Sequence, residues 1–219
     1  MSDIFREVDE DVRTEQYARL WKRFAPFVYL AAALIILGTA GYKGYSYWQQ
    51  GLSEKAGQTF LEAIELSQAG KHEQARKQLE TLQDATGGYP MLAQMRIAAE
   101  YSVEGKAEDA IAELNKIAAN GDYPTVYRQL ANIRAAYLML DTASTDELKT
   151  KLSSELSTGN ALHFSAQEVI ALSQYKAEKY QDAQKTLTKV VEDATAPSDI
   201  VGRARLYLEL INSKIGSKT

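Results

Sequence analysis

The sequence contains no cysteine. Disulfides, thiolate nucleophiles, cysteine zinc sites and a lipoprotein anchor all need that sulfur, so each is excluded. The redox compartment stays open, because a cysteine-free chain is stable in either environment. Histidine is nearly as scarce: His72 lies beside Lys71 and Glu73 in a polar turn, and His163 starts a helix beside Phe164. Neither belongs to a metal-binding pattern such as H-E-x-x-H. No glycine-rich phosphate loop and no nucleophile elbow occurs; Gly87-Gly88 precedes Tyr89-Pro90 and reads as a turn. Acidic pairs such as Glu108-Asp109 are helix-start charges favoured by the helix dipole. Basic runs are also missing. The formal net charge is -4, and residues 1–48 carry six acidic and six basic side chains. The remainder therefore holds the whole deficit, which argues against a nucleic-acid surface. These absences predict a non-enzyme without cofactor, metal or small-molecule substrate.

One stretch lacks charge altogether. FAPFVYLAAALIILGTAGY, Phe24 to Tyr42, has 19 uncharged residues, close to the ~20 needed to cross a bilayer core of ~30 Å. A soluble amphipathic helix would interrupt it with polar residues every third or fourth position. Aromatic residues bracket the run, Trp21, Phe24, Phe27 and Tyr29 before and Tyr42, Tyr45, Tyr47 and Trp48 after. Tyrosine and tryptophan favour the headgroup zone. A cleaved signal is the competing reading, supported by the small residues Gly38-Thr39-Ala40. Against it, 23 residues with six acids precede the run, which also exceeds the usual apolar stretch of a signal. The expectation is a permanent anchor contacting the lipid bilayer, with domains 1–23 (cytoplasmic tail), 24–48 (membrane helix and outer aromatic flank) and 49–219 (exported domain). Arg13, Arg19, Lys22 and Arg23 before the run, against Lys43 and Lys55 after it, place the N-terminus in the cytoplasm. Gly38, Gly41 and Gly44 recur every three residues and form a narrow face for another membrane helix. The simpler alternative is that glycine is common in such helices.

Beyond Gln49 the pattern becomes amphipathic helices separated by Gly, Pro or polar turns. GKHEQARKQLETL, GKAEDAIAELNKI and EKYQDAQKTLTKV align without gaps, their alanines Ala75, Ala110 and Ala183 lying 35 and then 73 residues apart. The double gap predicts one degenerate copy between them, over residues 125–156. Twelve residues before each alanine stands another, Ala63, Ala98 and Ala171; four after come Leu79, Leu114 and Leu187; three further on come Leu82, Ile117 and Val190. Small residues at two points let antiparallel helices approach, and large ones bury against the next pair. The degenerate copy keeps Tyr137 but puts Asp146 where alanine is expected, which predicts a splayed pair around Leu148, Leu152 and Leu156. Ser198 to Lys214 reads as a terminal capping helix. The fold class is all-α: one N-terminal transmembrane helix, an α-solenoid of about four helix pairs, and a C-terminal capping helix.

This period of about 34 residues, with small and large residues at those offsets, resembles the tetratricopeptide repeat. Tyr101 stands at that motif's tyrosine, Leu66 and Gln174 replace it in flanking copies, and Tyr89-Pro90 and Tyr123-Pro124 mark repeat boundaries. First helices line the concave side of such arrays. By that register, Phe60, Ile64, Leu92, Met95, Arg128, Glu168 and Tyr175 are expected to face a protein-binding groove. A one-position register error rotates a residue by about 100° and turns some apolar members into core.

The whole chain resembles the bacterial ancillary Sec translocon subunit family, on its architecture, on Tyr17-Ala18-Arg19-Leu20-Trp21-Lys22-Arg23-Phe24 leading into the run, and on Gly44-Tyr45-Ser46-Tyr47-Trp48 closing it. That resemblance implies a bacterial inner-membrane protein with a periplasmic domain. Its implied partners are Sec translocon subunits and a membrane-anchored periplasmic chaperone, and its implied role is to help newly exported chains. The alternative function is a scaffold for envelope or division assembly that binds fixed partners.

Overall fold

A computed structural model describes the backbone of residues 3–216 and the side chains of 21–27 and 29–216. The side chains of Arg13, Arg19 and Tyr17 to Leu20 lie outside the described residues. The chain divides into two compact units, Met1–Glu54 and Lys55–Thr219.

The first unit is helical throughout its described residues, as part of α1, Asp3–Gln68. Pro26 sits inside this helix. The apolar run is uncovered: Leu34, Ile35, Ile36 and Leu37 are all exposed, Ile35 at 69%. A core helix would bury these side chains, so the run is not a core helix. At 1.5 Å per residue, 19 helical residues span about 29 Å, the thickness of a bilayer core. It is the single helix among the described residues long and apolar enough to cross a membrane. A Cβ added at Gly38, Gly41 or Gly44 would meet nothing within 4 Å, so no contact in this chain demands glycine there.

The second unit begins with the last turns of α1 and continues through α2 (His72–Glu80), α3 (Tyr89–Val103), α4 (Ala107–Ala119), α5 (Thr125–Leu138), a 3₁₀ turn at Met139–Asp141, α6 (Thr145–Lys151), α7 (His163–Lys176), α8 (Tyr180–Glu192) and α9 (Ser198–Gly216). These form four helix pairs, α1 with α2 through the core of Ala63, Leu79 and Leu82, then α3 with α4, α5 with α6 and α7 with α8, followed by α9 packed on α8 and α7. The patterned residues explain the pairing. Ala63, Ala98, Ala171, Ala75, Ala110 and Ala183 are all buried, as are Leu79, Leu114, Leu187, Leu82, Ile117 and Val190. Burying each large side chain stabilises the fold by about 2 kcal/mol. Ile200, Ala204 and Ile211 of α9 close the last core cluster, covering the face that the array would otherwise leave open.

Three pairs share one connection. Residues 69–71, 104–106 and 177–179 each link two helices, with Gly70 (φ 73°), Gly105 (φ 74°) and Glu178 (φ 56°) left-handed at the centre. In each, two backbone bonds close the turn: Lys71 N to Leu66 O, Lys106 N to Tyr101 O and Lys179 N to Gln174 O, all at 2.9 Å, enclose a second bond that spans fewer residues, Gly70 N to Ser67 O, Gly105 N to Ser102 O and Glu178 N to Tyr175 O. This is the Schellman arrangement, which asks for glycine at the left-handed position. Pro90 opens α3 and Pro124 caps α5, so both Tyr-Pro pairs mark the starts of repeats.

The middle pair departs from the register expected for it. Its link, residues 139–144, has six residues where the other three have three. The gap-free offset that pointed to Asp146 therefore misses, and Asp146 is exposed. Counted from the start of its helix, Leu148 takes the fourth place, the one filled by Ala75, Ala110 and Ala183. A larger side chain there holds α5 and α6 apart, and α5 instead packs directly on α7.

Gly105→Ala is expected to lower stability by about 1 kcal/mol, since a Cβ is strained at positive φ. Glu178→Gly relieves the same strain and is expected not to lower it. Urea unfolding of the full chain in detergent micelles, followed by far-ultraviolet circular dichroism, measures both.

Candidate functional site

The first helices α3, α5 and α7 are covered on two sides, so few of their residues reach solvent. On α3, Leu92, Arg96, Ala99 and Val103 form one stripe at i, i+4, i+7 and i+11 that remains at least partly open. On α5 the matching stripe is Tyr127, Leu130, Arg134 and Leu138. Between the two helices lies a mainly apolar cavity of about 230 Å³, lined by Met95, Ala99, Ser102, Arg134, Tyr137 and Leu138 among others. Arg134 is exposed, and its guanidinium approaches the Met95 Sδ at 3.9 Å. An apolar floor with a cation at its rim suits an apolar side chain of a bound polypeptide.

A larger cavity, about 350 Å³, lies among α2, α3 and α4 and is polar. Its groups mostly satisfy one another: Lys116 donates to Glu113 at 2.6 Å, Gln94 to Glu113 at 3.4 Å, and the Tyr123 hydroxyl to Gln94 at 3.5 Å. Self-satisfied walls gain little from a ligand, so the smaller apolar groove is the better binding surface.

The seven residues expected in the groove do not converge. Leu92 is 42% exposed on the α3 stripe, and Met95, 8% exposed, lines the apolar cavity from within. Phe60 is half-buried against Tyr89, ring centroids 6.4 Å apart, in the core of the first pair. Ile64 is half-buried on α1. Arg128 donates from Nε to the Ala118 carbonyl at 3.2 Å, tying the start of α5 to the end of α4. Tyr175 packs on Tyr180 at 5.5 Å in the terminal core. Glu168, 1% exposed, lies inside the packing rather than on an open face. It accepts from Arg203 Nε at 2.7 Å, from the second Arg203 nitrogen at 2.8 Å and from the Tyr137 hydroxyl at 2.9 Å. One carboxylate thus ties α5, α7 and α9 together. Burial and the nearby Glu168 carboxylate push the Tyr137 phenol well above its usual range.

A second buried carboxylate joins the first two pairs. Glu100, 1% exposed, accepts from His72 Nδ1 at 2.7 Å and from Arg96 Nε at 2.5 Å, while Arg96 also donates to Ser67 Oγ at 2.6 Å. Arg76 pairs with Glu104 and lies 4.3 Å over the ring of Tyr101, the motif tyrosine. Such buried acids orient helices. His72, which reads from sequence as a solvated turn residue, belongs to this network.

The model of the family described as tetratricopeptide repeat-like domain matches residues 18–169. The chain belongs to that family. No curated protein and no solved structure matches it. The tetratricopeptide-like match takes in α1 from its apolar run through the α3–α5 groove to the first half of α7, and it stops short of α8 and α9. Membership makes this a protein-interaction domain, and the groove between two first helices is where such a domain offers an open surface.

Glu100 carries a pH dependence. Burial raises its carboxyl, but the hydrogen bonds from His72, Ser67 and Arg96 outweigh that and hold it below the ordinary value. A depressed folded value contributes stability that is fully present above the unfolded value, about 4.3, and is lost as pH falls through the folded one. Glu100→Gln is expected to flatten that acid limb in thermal melts between about pH 5 and pH 3. An unchanged acid limb would show that the network adds nothing.

Proposed function

We propose that this tetratricopeptide repeat-like protein is a non-enzymatic, membrane-anchored factor that binds exported polypeptides in its α3–α5 groove, as an ancillary subunit of the Sec translocon or a partner of a periplasmic chaperone. The apolar groove rimmed by Arg134 is the observation that carries the reading. The exposed apolar run of α1 supports a single bilayer crossing. The excess of Arg and Lys before it supports a cytoplasmic tail, residues 1–23, and a periplasmic domain, residues 49–219. Anchoring raises the effective concentration of the groove for chains emerging at the membrane surface. The closing motifs around the apolar run support the translocon as the neighbour.

Ala99 lies on the groove floor, and Ala99→Trp fills about one side chain's worth of space. Crosslinking followed by pull-down from detergent-solubilised membranes is expected to recover translocon subunits and a periplasmic chaperone with the wild-type chain. The tryptophan variant is expected to lose bound exported polypeptides at least about tenfold while keeping its place in the membrane. Recovery of division or wall-assembly proteins instead would favour a fixed scaffold, and equal capture by both variants would remove the groove from the account.

A further inference from the structure

The middle pair differs from its neighbours in three ways that point the same direction. Its second helix, α6, has 7 residues, against 9, 13 and 13 in α2, α4 and α8. Beyond Lys151 the chain runs in turns to Leu162, keeping only scattered helical bonds such as Leu156 N to Leu152 O at 2.8 Å. The eleventh place after the helix start, filled by Leu82, Ile117 and Val190 in the other pairs, is Glu155. Its side chain is completely buried, at 0% exposure. One carboxylate oxygen accepts from Asn132 at 3.1 Å, and the other has no hydrogen-bond partner. Lys151, one turn earlier, donates to Asn115 on α4 at 2.7 Å instead. A buried carboxylate oxygen left without a donor opposes packing, a penalty the three apolar counterparts do not carry.

Some of the remaining ties of this segment are polar. Gln129 donates to Ser154 at 3.2 Å, and the hydroxyls of Thr145 and Ser173 lie 2.8 Å apart. Water can replace each of these once the segment lifts. Leu148 and Leu152 oppose lifting, because both are fully buried against Ile133, Ala136, Ala166 and Val169. The continuity of the array does not depend on α6 alone, however. α5 packs directly on α7, and the Tyr137 hydroxyl bonds to Glu168 at 2.9 Å across that contact. The Ser144–Glu147 capping box holds the first turn of α6 together by its own local bonds. Loss of α6 from its seat therefore leaves the neighbours joined.

We propose that residues 144–162 form a flap that opens locally while the flanking helix pairs stay folded, uncovering an apolar seat on α5 and α7, and that the buried Glu155 sets how often it opens. The seat comprises Ile133 and Ala136 of α5 with Ala166, Val169 and Ile170 of α7. The seat residues are not those that line the α3–α5 groove, though Tyr137 touches both, and the inference stands whether or not that groove binds polypeptides.

Hydrogen–deuterium exchange with mass spectrometry on the full chain in detergent micelles tests it. Peptides from 144–162 are expected to exchange at least about tenfold faster than those of α4, α5, α7 and α8. Glu155→Leu supplies the apolar residue that the other pairs carry and is expected to slow exchange in 144–162 about ten- to hundredfold, leaving α2 and α3 unchanged. Glu155→Gln keeps the volume, removes the charge and is expected to give a smaller slowing. If Glu155→Leu does not fold, the glutamine variant decides. Exchange of 144–162 in step with α5 and α7 would overturn the proposal. So would a fold-competent set of Glu155 variants that leaves exchange unchanged or hastens it.

Discussion

The array rests on small side chains at the places where helices approach. Ala63, Ala98 and Ala171 on first helices, and Ala75, Ala110 and Ala183 on second helices, are buried with almost no exposed surface. A larger residue at such a place forces the axes apart, as interiors are close-packed and do not absorb extra volume. The middle pair shows the consequence within the same chain. Leu148 occupies the alanine place, α6 is short, and α5 packs on α4 and α7 more than on its own partner α6. The left-handed turn residues follow from the same constraint, because three-residue links between closely spaced helices require a positive φ at their centre.

Buried carboxylates supply a second level of order. Glu100 draws His72 and Arg96 together near the start of the array, and Glu168 gathers Arg203 and Tyr137 near its end. Breaking either by removing a cation would leave an uncompensated buried charge, which is far costlier than the pair is stabilising. Glu155 is the third buried acid and lacks a cation within ion-pair distance among the described residues. Two acids lock neighbouring helices, and the third loosens the unit between them.

Much of this architecture was legible in the sequence because it is written at fixed offsets. The alanine and leucine places, the glycine-centred links and the uncharged run from Phe24 to Tyr42 are local patterns with a helical period. The register of the middle pair was not legible, since a link three residues longer than the others displaced Leu148 from the place that a constant period assigns to it. The candidate groove was only partly legible. A helix turns about 100° per residue, so the distinction between Leu92 on the open stripe and Met95 beneath it depends on packing from both sides. The contacts between helices, His72 with Glu100 and Arg203 with Glu168, join residues 28 and 35 positions apart, and no local pattern marks those partners. Arg134, at the groove rim, would have emerged from extending the Tyr127 and Leu130 spacing by one turn.

The functional account joins an exposed apolar helix to an apolar groove in a tetratricopeptide repeat-like domain. Its central claim is that α3 and α5 form the surface that meets other polypeptides at the membrane. A photoactivatable amino acid placed at Leu92 or Arg134 in living cells, compared with the same group at Gln181 on α8, tests that claim most directly. The account predicts crosslinks to exported polypeptides from the α3 and α5 positions and almost none from α8. Equal crosslinking from all three positions, or crosslinks from α8 alone, would contradict it.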